Sequence, residues 1–337
     1  MLGAKLSREG GAIEMMADAE YAAGKRPWFG RLSEGRYETF SFAVLGDRCG
    51  MATEGVFERA LEVLKDLRPE FVVTVGDMIE GYWRNEADAH AEWDEFDAKI
   101  EASGLPFFPA VGNHDYSNRL MADVWRERKG PTYYAFRAGD ALFVMLNTER
   151  TPDELPDAVV DAIKRATDGM KRHAAPAGEV GKSFYADLVA TVPPEQLLSL
   201  SKINLSFGEE QLAFVERALA EHSDAKWTFV TMHKPGWKTD SEEYAKLLQL
   251  LEGRKHTIFA GHLHALEYEE RNGNERIQMG RTGGLAHGDG AAPCNANMML
   301  WVTVRDGKPS YRVLPLNGIA EIAAYAPPKP TAVSEGV

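Results

Sequence analysis

Short apolar runs alternate with helical stretches along much of this sequence. Residues 39–45 and 71–75 are continuous apolar runs of strand length, and residues 56–67 and 86–102 carry apolar side chains at helical spacing. This repeated β-loop-α order predicts parallel strands joined by right-handed crossovers, with their carboxyl ends at one edge of a sheet. The pattern therefore predicts an α/β fold whose polar loops converge on one side.

The pattern changes in the middle of the chain. Apolar segments at 132–136 and 141–147 flank a Gly-Asp turn and predict a β-hairpin. Prolines divide residues 151–205 into short helical pieces, which we interpret as an insertion. The insertion has two possible roles that the sequence leaves open: a cap that selects substrate, or a surface excursion packed on the sheet.

Core strands return at 227–232 and 257–260, and alternating segments within 266–316 predict an antiparallel meander. Outside these elements the apolar pattern is lost. The predicted boundaries are a loosely attached N-terminal arm over 1–36, one large domain over 37–318 that contains the insertion, and a disordered tail over 319–337.

Five of the apolar runs end in side chains that can bind a metal. Because a hydrophobic strand cannot hold such polar groups, they must lie on the loops at its end. Oxygen and imidazole donors that converge in this way suit two divalent ions about 3.5–4 Å apart, with one carboxylate able to bridge them. The donors, in chain order, are Asp47, Asp77, Asn113, His233, His262 and His264.

Composition restricts the partners. The formal charge of -13 comes from 38 basic and 51 acidic residues, so nucleic acid and anionic membranes are not expected to bind. No apolar run approaches the roughly 20 residues that cross a bilayer, and the N-terminus lacks the apolar region of a signal peptide. Cys49 and Cys294 are too few for a disulfide framework. We expect a cytoplasmic protein, and its oligomeric state stays open.

The ordered set GD (46–47), GD (76–77), GNHD (112–115), His233 and GHLH (261–264) resembles the calcineurin-like metallophosphoesterase superfamily. The resemblance covers roughly residues 39–316. It implies a four-layer α/β/β/α sandwich with a dinuclear metal centre at the strand ends. The substrate it implies is a small-molecule phosphate ester.

The resemblance also implies a role for each residue of the set. Asp77 would bridge two divalent ions, with Mn, Zn, Fe and Ni as candidates, and hold the metal-bridged hydroxide that attacks phosphorus. His114 would not be a ligand but would stabilise or protonate the leaving oxygen. Asn113 would contact the substrate as well as a metal. The implied ligands are Asp47 and His264 for the first ion, and Asn113, His233 and His262 for the second.

The first motif departs from the usual Asp-x-His of the superfamily, because Cys49 stands in place of the histidine. Cys49 is either a thiolate ligand of the first ion or a small buried hydrophobe. Glu80 is a second candidate ligand, since purple acid phosphatases carry a ligating Tyr at that offset, and the alternative is that it simply faces solvent. Arg48 is expected to clamp the phosphate, with a surface ion pair as the alternative. His287 lies in a glycine-rich loop that can reach the pocket edge.

The sequence therefore predicts a metal-dependent hydrolase of phosphoric esters, either diesters or monoesters, with the insertion as the main determinant of substrate choice. One alternative is a phosphomonoesterase like the purple acid phosphatases, with a coloured iron-containing centre. The other is a degenerate phosphoesterase fold that binds phosphorylated ligands or a protein partner without hydrolysis, because the first motif is incomplete.

Overall fold

Two β-sheets form the middle of the fold. The computed structural model describes residues 4–6, 15–17, 25–30, 32, 38–150, 152, 154–173, 177–200, 202–286, 292–316 and 320–321. One sheet has eight strands in the spatial order β1 (Ala4–Leu6), β2 (Met15–Ala17), β6 (Tyr134–Ala138), β7 (Ala141–Met145), β8 (Trp227–Thr231), β9 (His256–Ala260), β11 (Asn274–Gln278) and β10 (Glu267–Arg271). The other has six, in the order β14 (Ala320–Glu321), β13 (Lys308–Pro315), β12 (Met298–Arg305), β3 (Thr39–Leu45), β4 (Phe71–Thr74) and β5 (Phe107–Pro109).

The central strands of both sheets are parallel. In the six-stranded sheet β3 pairs with β4 and β4 with β5 in parallel register, and in the eight-stranded sheet β7, β8, β9 and β11 do the same. The loops that follow these strands therefore leave each sheet at one edge, as the repeated β-loop-α pattern predicts.

Helices cover the outer faces of both sheets and form the insertion. The described helices are α1 (Val56–Leu67), α2 (Glu86–Ser103), α3 (Arg119–Arg128), α4 (Asp157–His173), α5 (Ala177–Thr191), α6 (Pro194–Leu200), α7 (Glu209–Glu221) and α8 (Glu242–Leu250). Side-chain caps begin three of them: Asn85, Asn118 and Ser241 each accept a hydrogen bond from the backbone N–H three residues later.

Alternate side chains of β3 show how the layers are divided. Phe42 and Val44 join the aromatic core between the two sheets, where Phe42 stacks on Phe71 at a centroid distance of 5.1 Å. Ala43 and Leu45 face the opposite way, into the core that the six-stranded sheet shares with α1, α2 and α3. A third core joins the eight-stranded sheet to α7 and α8. The predicted four-layer α/β/β/α sandwich is confirmed.

Three predictions about the chain ends and the last strands differ from the structure. The predicted loose arm contributes β1 and β2, which pair antiparallel with each other, while β2 extends the large sheet through β6. Strands of three residues are too short to show a periodic pattern, so the sequence could not reveal them. The predicted meander is instead two hairpins in different sheets, β10–β11 and β12–β13. Of the predicted tail, β14 pairs with β13, and residues 322–337 lie outside the described residues.

Within the described ranges, the helices lack the combined length and apolarity that a bilayer crossing requires.

Candidate metal centre

One group of donors gathers around Asp47. One ligand atom from each of Asp47, Asp77 and His264 lies within 4.8 Å of the other two, and all three residues are buried. His264 Nε2 lies 3.0 Å from Asp47 Oδ2. His264 Nδ1 donates to the Leu285 carbonyl at 2.6 Å, which fixes the ring with Nε2 towards the carboxylate.

The donors around Asp47 suit a cation. Asp47 Oδ1 is a buried oxygen with no hydrogen-bond partner among the described residues. Such an atom costs free energy unless a charge or a donor satisfies it. Burial opposes the charged form of His264, but the Asp47 carboxylate outweighs burial and raises the pKa of His264. A divalent ion at this position would satisfy the oxygen and replace that proton.

A second group of donors gathers around Asn113. Its Oδ1 lies 2.9 Å from His233 Nε2 and 2.9 Å from His262 Nδ1. His233 Nε2 is also 3.2 Å from Asp77 Oδ2. Two ligand atoms that lie about 2.1 Å from the same ion, with an angle of about 90° at the ion, are about 3.0 Å apart. The separations given above match that distance, so these atoms can be ligands of a single ion. Asp77 thus belongs to both groups.

The two histidines of the second group have opposite pKa shifts. Burial opposes the charged form of His233, yet the adjacent Asp77 carboxylate raises its pKa to about 10. Burial and the neighbouring His233 charge hold the pKa of His262 well below its ordinary value, so its ring is neutral and retains a lone pair for a cation. His233 Nδ1 donates to the Val75 carbonyl at 2.9 Å, which directs Nε2 at the donors.

Several donor residues have a strained backbone. Asp77, His262 and His264 have φ angles of 57°, 72° and 54°, in the left-handed region that non-glycine residues rarely adopt. Each such residue costs on the order of 1–3 kcal/mol, which the surrounding structure must offset. Strain concentrated on donor residues is typical of a functional site.

Asp115 offsets this strain at Asp77. Its carboxylate accepts four backbone hydrogen bonds: from Asp77 and Gly112 at 2.9 Å each, from Met78 at 2.8 Å and from Ile79 at 3.2 Å. Burial and the Asp77 carboxylate raise the pKa of Asp115 to about 7, against these four hydrogen bonds. No role was predicted for Asp115, although an acid at the end of a strand-terminal motif is a signal for such loop anchoring.

Glycines let the loops approach the donor carboxylates. A Cβ added to Gly261 would lie 2.3 Å from Asp47 Oδ1, and one added to Gly112 would lie 2.2 Å from Asp77 Oδ1. No side chain fits at these distances. The glycines that end the apolar runs are therefore required by the packing of the donors themselves.

The structure places Cys49 and Glu80 outside the two groups of donors. Cys49 is fully buried, its Sγ donates to the Asp77 carbonyl at 2.9 Å, and burial followed by the nearby Asp77 carboxylate raises the thiol pKa well above its ordinary value. The Glu80 carboxylate accepts the backbone N–H groups of Met51 and Ala52 at 2.9 and 2.6 Å. These contacts favour the alternative in which Cys49 is a small buried hydrophobe, and Glu80 is itself buried rather than facing solvent.

The contacts of Arg48 favour the ion-pair alternative over the predicted phosphate clamp, since its Nη2 lies 3.9 Å from Glu95 Oε1. The Arg48 guanidinium donates to the Met78 carbonyl at 2.6 Å and lies over the rings of Phe57 and Phe96, at 5.4 and 5.6 Å from their centroids. These contacts hold it against the helices of the outer layer. His287, the other candidate substrate contact, lies outside the described residues.

His114 lies beside the donors without joining them. Its backbone N–H donates to Asp77 Oδ1 at 2.9 Å, and its Nδ1 bonds the Glu80 carbonyl at 2.8 Å. A carbonyl can only accept, so Nδ1 carries the proton and Nε2 is left for another partner. The side chain is half-buried. Tyr82, which the sequence analysis assigned no role, contacts this ring edge-on with centroids 4.9 Å apart.

Comparison with known proteins agrees with this geometry. Residues 40–266 match the model of the calcineurin-like phosphoesterase family. A stretch of 132 residues is 29% identical to the serine/threonine-protein phosphatase CPPED1 of Rattus norvegicus, and it covers 36% of this chain and 40% of that protein. The fold is similar to that of a dimetal phosphatase from Danio rerio, with a TM-score of 0.53 and 16% identity over 83% of this chain and 97% of the other.

The family match spans well over half of the chain and includes every donor described above. The chain belongs to the calcineurin-like phosphoesterase family.

Proposed function

We propose that the chain hydrolyses phosphoric esters at a centre of two divalent metal ions. The observation that carries the proposal is the position of Asp77, whose carboxylate lies within 4.8 Å of donors of Asp47 and His264 and 3.2 Å from His233 Nε2. A carboxylate that faces two groups of donors can bridge two ions. The proposed ligands are Asp47, Asp77 and His264 for the first ion, and Asp77, Asn113, His233 and His262 for the second.

Two ions bound there would polarise the phosphoryl oxygens and make the attacking water more acidic. The proposed ligand atoms are carboxylate and amide oxygens and imidazole nitrogens. A thiolate is not among them, since the Cys49 thiol donates a hydrogen bond to a backbone carbonyl. Such a set accepts Mn, Zn, Fe or Ni and does not by itself select one of them.

His114 is the proposed acid for the leaving oxygen. Its Nδ1 proton is held by the Glu80 carbonyl, so the proton passed to the leaving oxygen would be a second one, carried on Nε2 by the imidazolium form of the ring. The hydrogen bond from its backbone N–H to Asp77 Oδ1 holds the residue next to the proposed bridging carboxylate. Asn113 is proposed to contact the substrate from the same loop.

The substrate class rests on a partial relative. The curated relative is named as a serine/threonine-protein phosphatase, and the similar segment spans 40% of it. We therefore propose phosphomonoesters, with phosphoserine and phosphothreonine peptides as the first to be tested, ahead of phosphodiesters. The Glu80 carboxylate is held by two backbone amides, so this residue gives no support to a centre like that of the purple acid phosphatases.

The test combines metal analysis with turnover. The purified chain, loaded in turn with Mn, Zn, Fe and Ni, is assayed with para-nitrophenyl phosphate, bis(para-nitrophenyl) phosphate and a phosphoserine peptide. We expect close to two ions per chain and faster turnover of the monoesters. Asp77→Asn should lose both ions and activity, whereas His90→Gln, a histidine on α2 away from the donors, should keep both.

Two results would contradict the proposal. A chain that holds two ions but turns over none of the three esters with any metal would point to the binding-only alternative. Asp77→Asn protein with full metal content would remove the bridging role.

A further inference from the structure

The segment after Asp77 wraps around His114. The Glu80 carbonyl accepts from His114 Nδ1 at 2.8 Å. Gly81 lies so close that an added Cβ would be 1.9 Å from the His114 carbonyl oxygen. The next residue, Tyr82, is only 3% exposed, and its ring meets that of His114 almost at a right angle. The orientation of His114 is therefore set by three consecutive residues.

The Tyr82 hydroxyl also fixes a proposed metal ligand. It accepts a hydrogen bond from Asn113 Nδ2 at 3.1 Å. A side-chain amide has two orientations that differ by exchange of its oxygen and nitrogen. Only the orientation with Nδ2 towards Tyr82 places Oδ1 between the nitrogens of His233 and His262, where it can bind an ion. The hydroxyl thus holds Nδ2 while Oδ1 faces the two histidines, which is the orientation that can bind metal.

The helical insertion holds Tyr82 from the other side. Tyr82 is buried in one apolar cluster with Val159 and Ile163 of α4 and Leu188 of α5. Lys164 of α4 contacts the residues on either side of Tyr82. Its Nζ donates to the Gly81 carbonyl at 2.5 Å and lies 3.4 Å from the centroid of the Trp83 ring. These contacts place α4 directly against the segment that orients His114 and Asn113.

We propose that Tyr82 is a positioning residue through which the helical insertion fixes the orientation of the metal ligand Asn113 and of His114. This inference rests on the proposed two-metal function. Outer-shell hydrogen bonds of this kind typically affect metal affinity by about 10–100-fold. The competing explanation is that Tyr82 only fills the apolar cluster, in which case its hydroxyl would not influence metal binding.

Tyr82→Phe separates these explanations because it keeps the ring and removes the hydroxyl. Mn²⁺ binding to the full chain is measured by isothermal titration calorimetry, and the signal of coupled Mn²⁺ pairs by electron paramagnetic resonance. We expect affinity for the second ion to fall about tenfold or more, with loss of the coupled-pair signal and a lower kcat. The urea midpoint of unfolding should shift only slightly.

Tyr311→Phe is the matched control. Tyr311 is 4% exposed, and its hydroxyl bonds Thr257 Oγ1 at 2.6 Å near the start of β9, at the opposite end of that strand from the donors. It should lose stability but keep its affinity for both ions. If Tyr82→Phe likewise keeps Mn²⁺ affinity and the coupled-pair signal, the positioning role is overturned.

A double-mutant cycle tests the link to the insertion. Ile163→Ala removes packing of α4 against Tyr82, and we expect it to weaken Mn²⁺ binding in the wild-type background and much less in Tyr82→Phe. Equal effects in both backgrounds would overturn the link. Mn²⁺ binding can be measured without turnover. If the wild-type chain hydrolyses no ester but Tyr82→Phe still lowers Mn²⁺ affinity, the proposed function is contradicted and the positioning role stands.

Discussion

Gly112→Ala is expected to disable the metal centre of a chain that still folds. The added Cβ would lie 2.2 Å from Asp77 Oδ1 and 2.4 Å from Asp77 N. Real Cβ atoms essentially never approach another heavy atom within 3.0 Å. The Asp77 carboxylate must therefore retreat by about 0.8 Å, and it cannot do so freely because Asp115 holds the backbone N–H of Asp77 and of Gly112 with one oxygen.

The magnitude follows from this displacement. Misplacing a catalytic group by about 1 Å costs roughly 10²-fold in rate, so kcat should fall by about two orders of magnitude. Overpacking a tight site costs about 1–3 kcal/mol of stability. Since Asp77 is proposed to bind both ions, both should be held more weakly. Metal content, kcat on para-nitrophenyl phosphate, and urea unfolding of the metal-free chain measure the three effects.

Gly169→Ala provides the control, because, apart from the backbone of α4 itself, no atom of the described residues lies within 4 Å of a Cβ at that position. Alanine is favoured over glycine in a helix by about 1 kcal/mol, so this variant should be slightly more stable and fully active. If Gly112→Ala has the same metal content and kcat as Gly169→Ala, the close approach of the Gly112 loop does not determine the position of the Asp77 carboxylate.

Three further predictions follow from the same contacts. Asp115→Asn should lower the free energy of unfolding by about 3 kcal/mol. Each carboxylate oxygen of Asp115 accepts two backbone N–H groups, so the NH₂ group of Asn would face two donors in either orientation. An unchanged urea midpoint would contradict this. Cys49→Ala should retain the wild-type metal content, since the thiol only donates to the Asp77 carbonyl, and loss of one ion on metal analysis would show that it is a ligand. His114→Ala should keep its metals while kcat falls about 10²–10⁴-fold, most for poor leaving groups, and an equal loss for all leaving groups would remove it as the acid.

The donor residues could be predicted because their positions depend on rules that act along the chain. Each follows a buried strand, and parallel strands end at one edge, so Asp47 and Asp77 had to meet without any knowledge of packing. The same reasoning applies to His233 and His262 at the ends of β8 and β9. The order of the motifs then selected the fold.

Side-chain direction within the loops could not be predicted in this way. Arg48 and Cys49 follow Asp47 directly, yet the guanidinium lies between α1 and α2 and the thiol on the Asp77 carbonyl. Their directions depend on a loop that contains Gly50 and Met51 at φ angles of 77° and 61°, in the left-handed region. Left-handed residues reverse the local chain direction, and nothing in the spacing of a motif reports them.

The insertion marks the boundary between what the motifs determine and what they do not. Short helical pieces between its prolines were predicted, but the surface that they cover includes Tyr82, a residue in a loop more than seventy positions earlier in the chain. The ligand set can fix the reaction class because metal coordination needs particular atoms at particular distances. Substrate choice instead depends on the walls around those atoms. The helices α4 and α5 pack against Tyr82, which bonds Asn113, and against Leu285, whose carbonyl bonds His264. Changes in these helices should therefore alter substrate preference without replacing any proposed ligand.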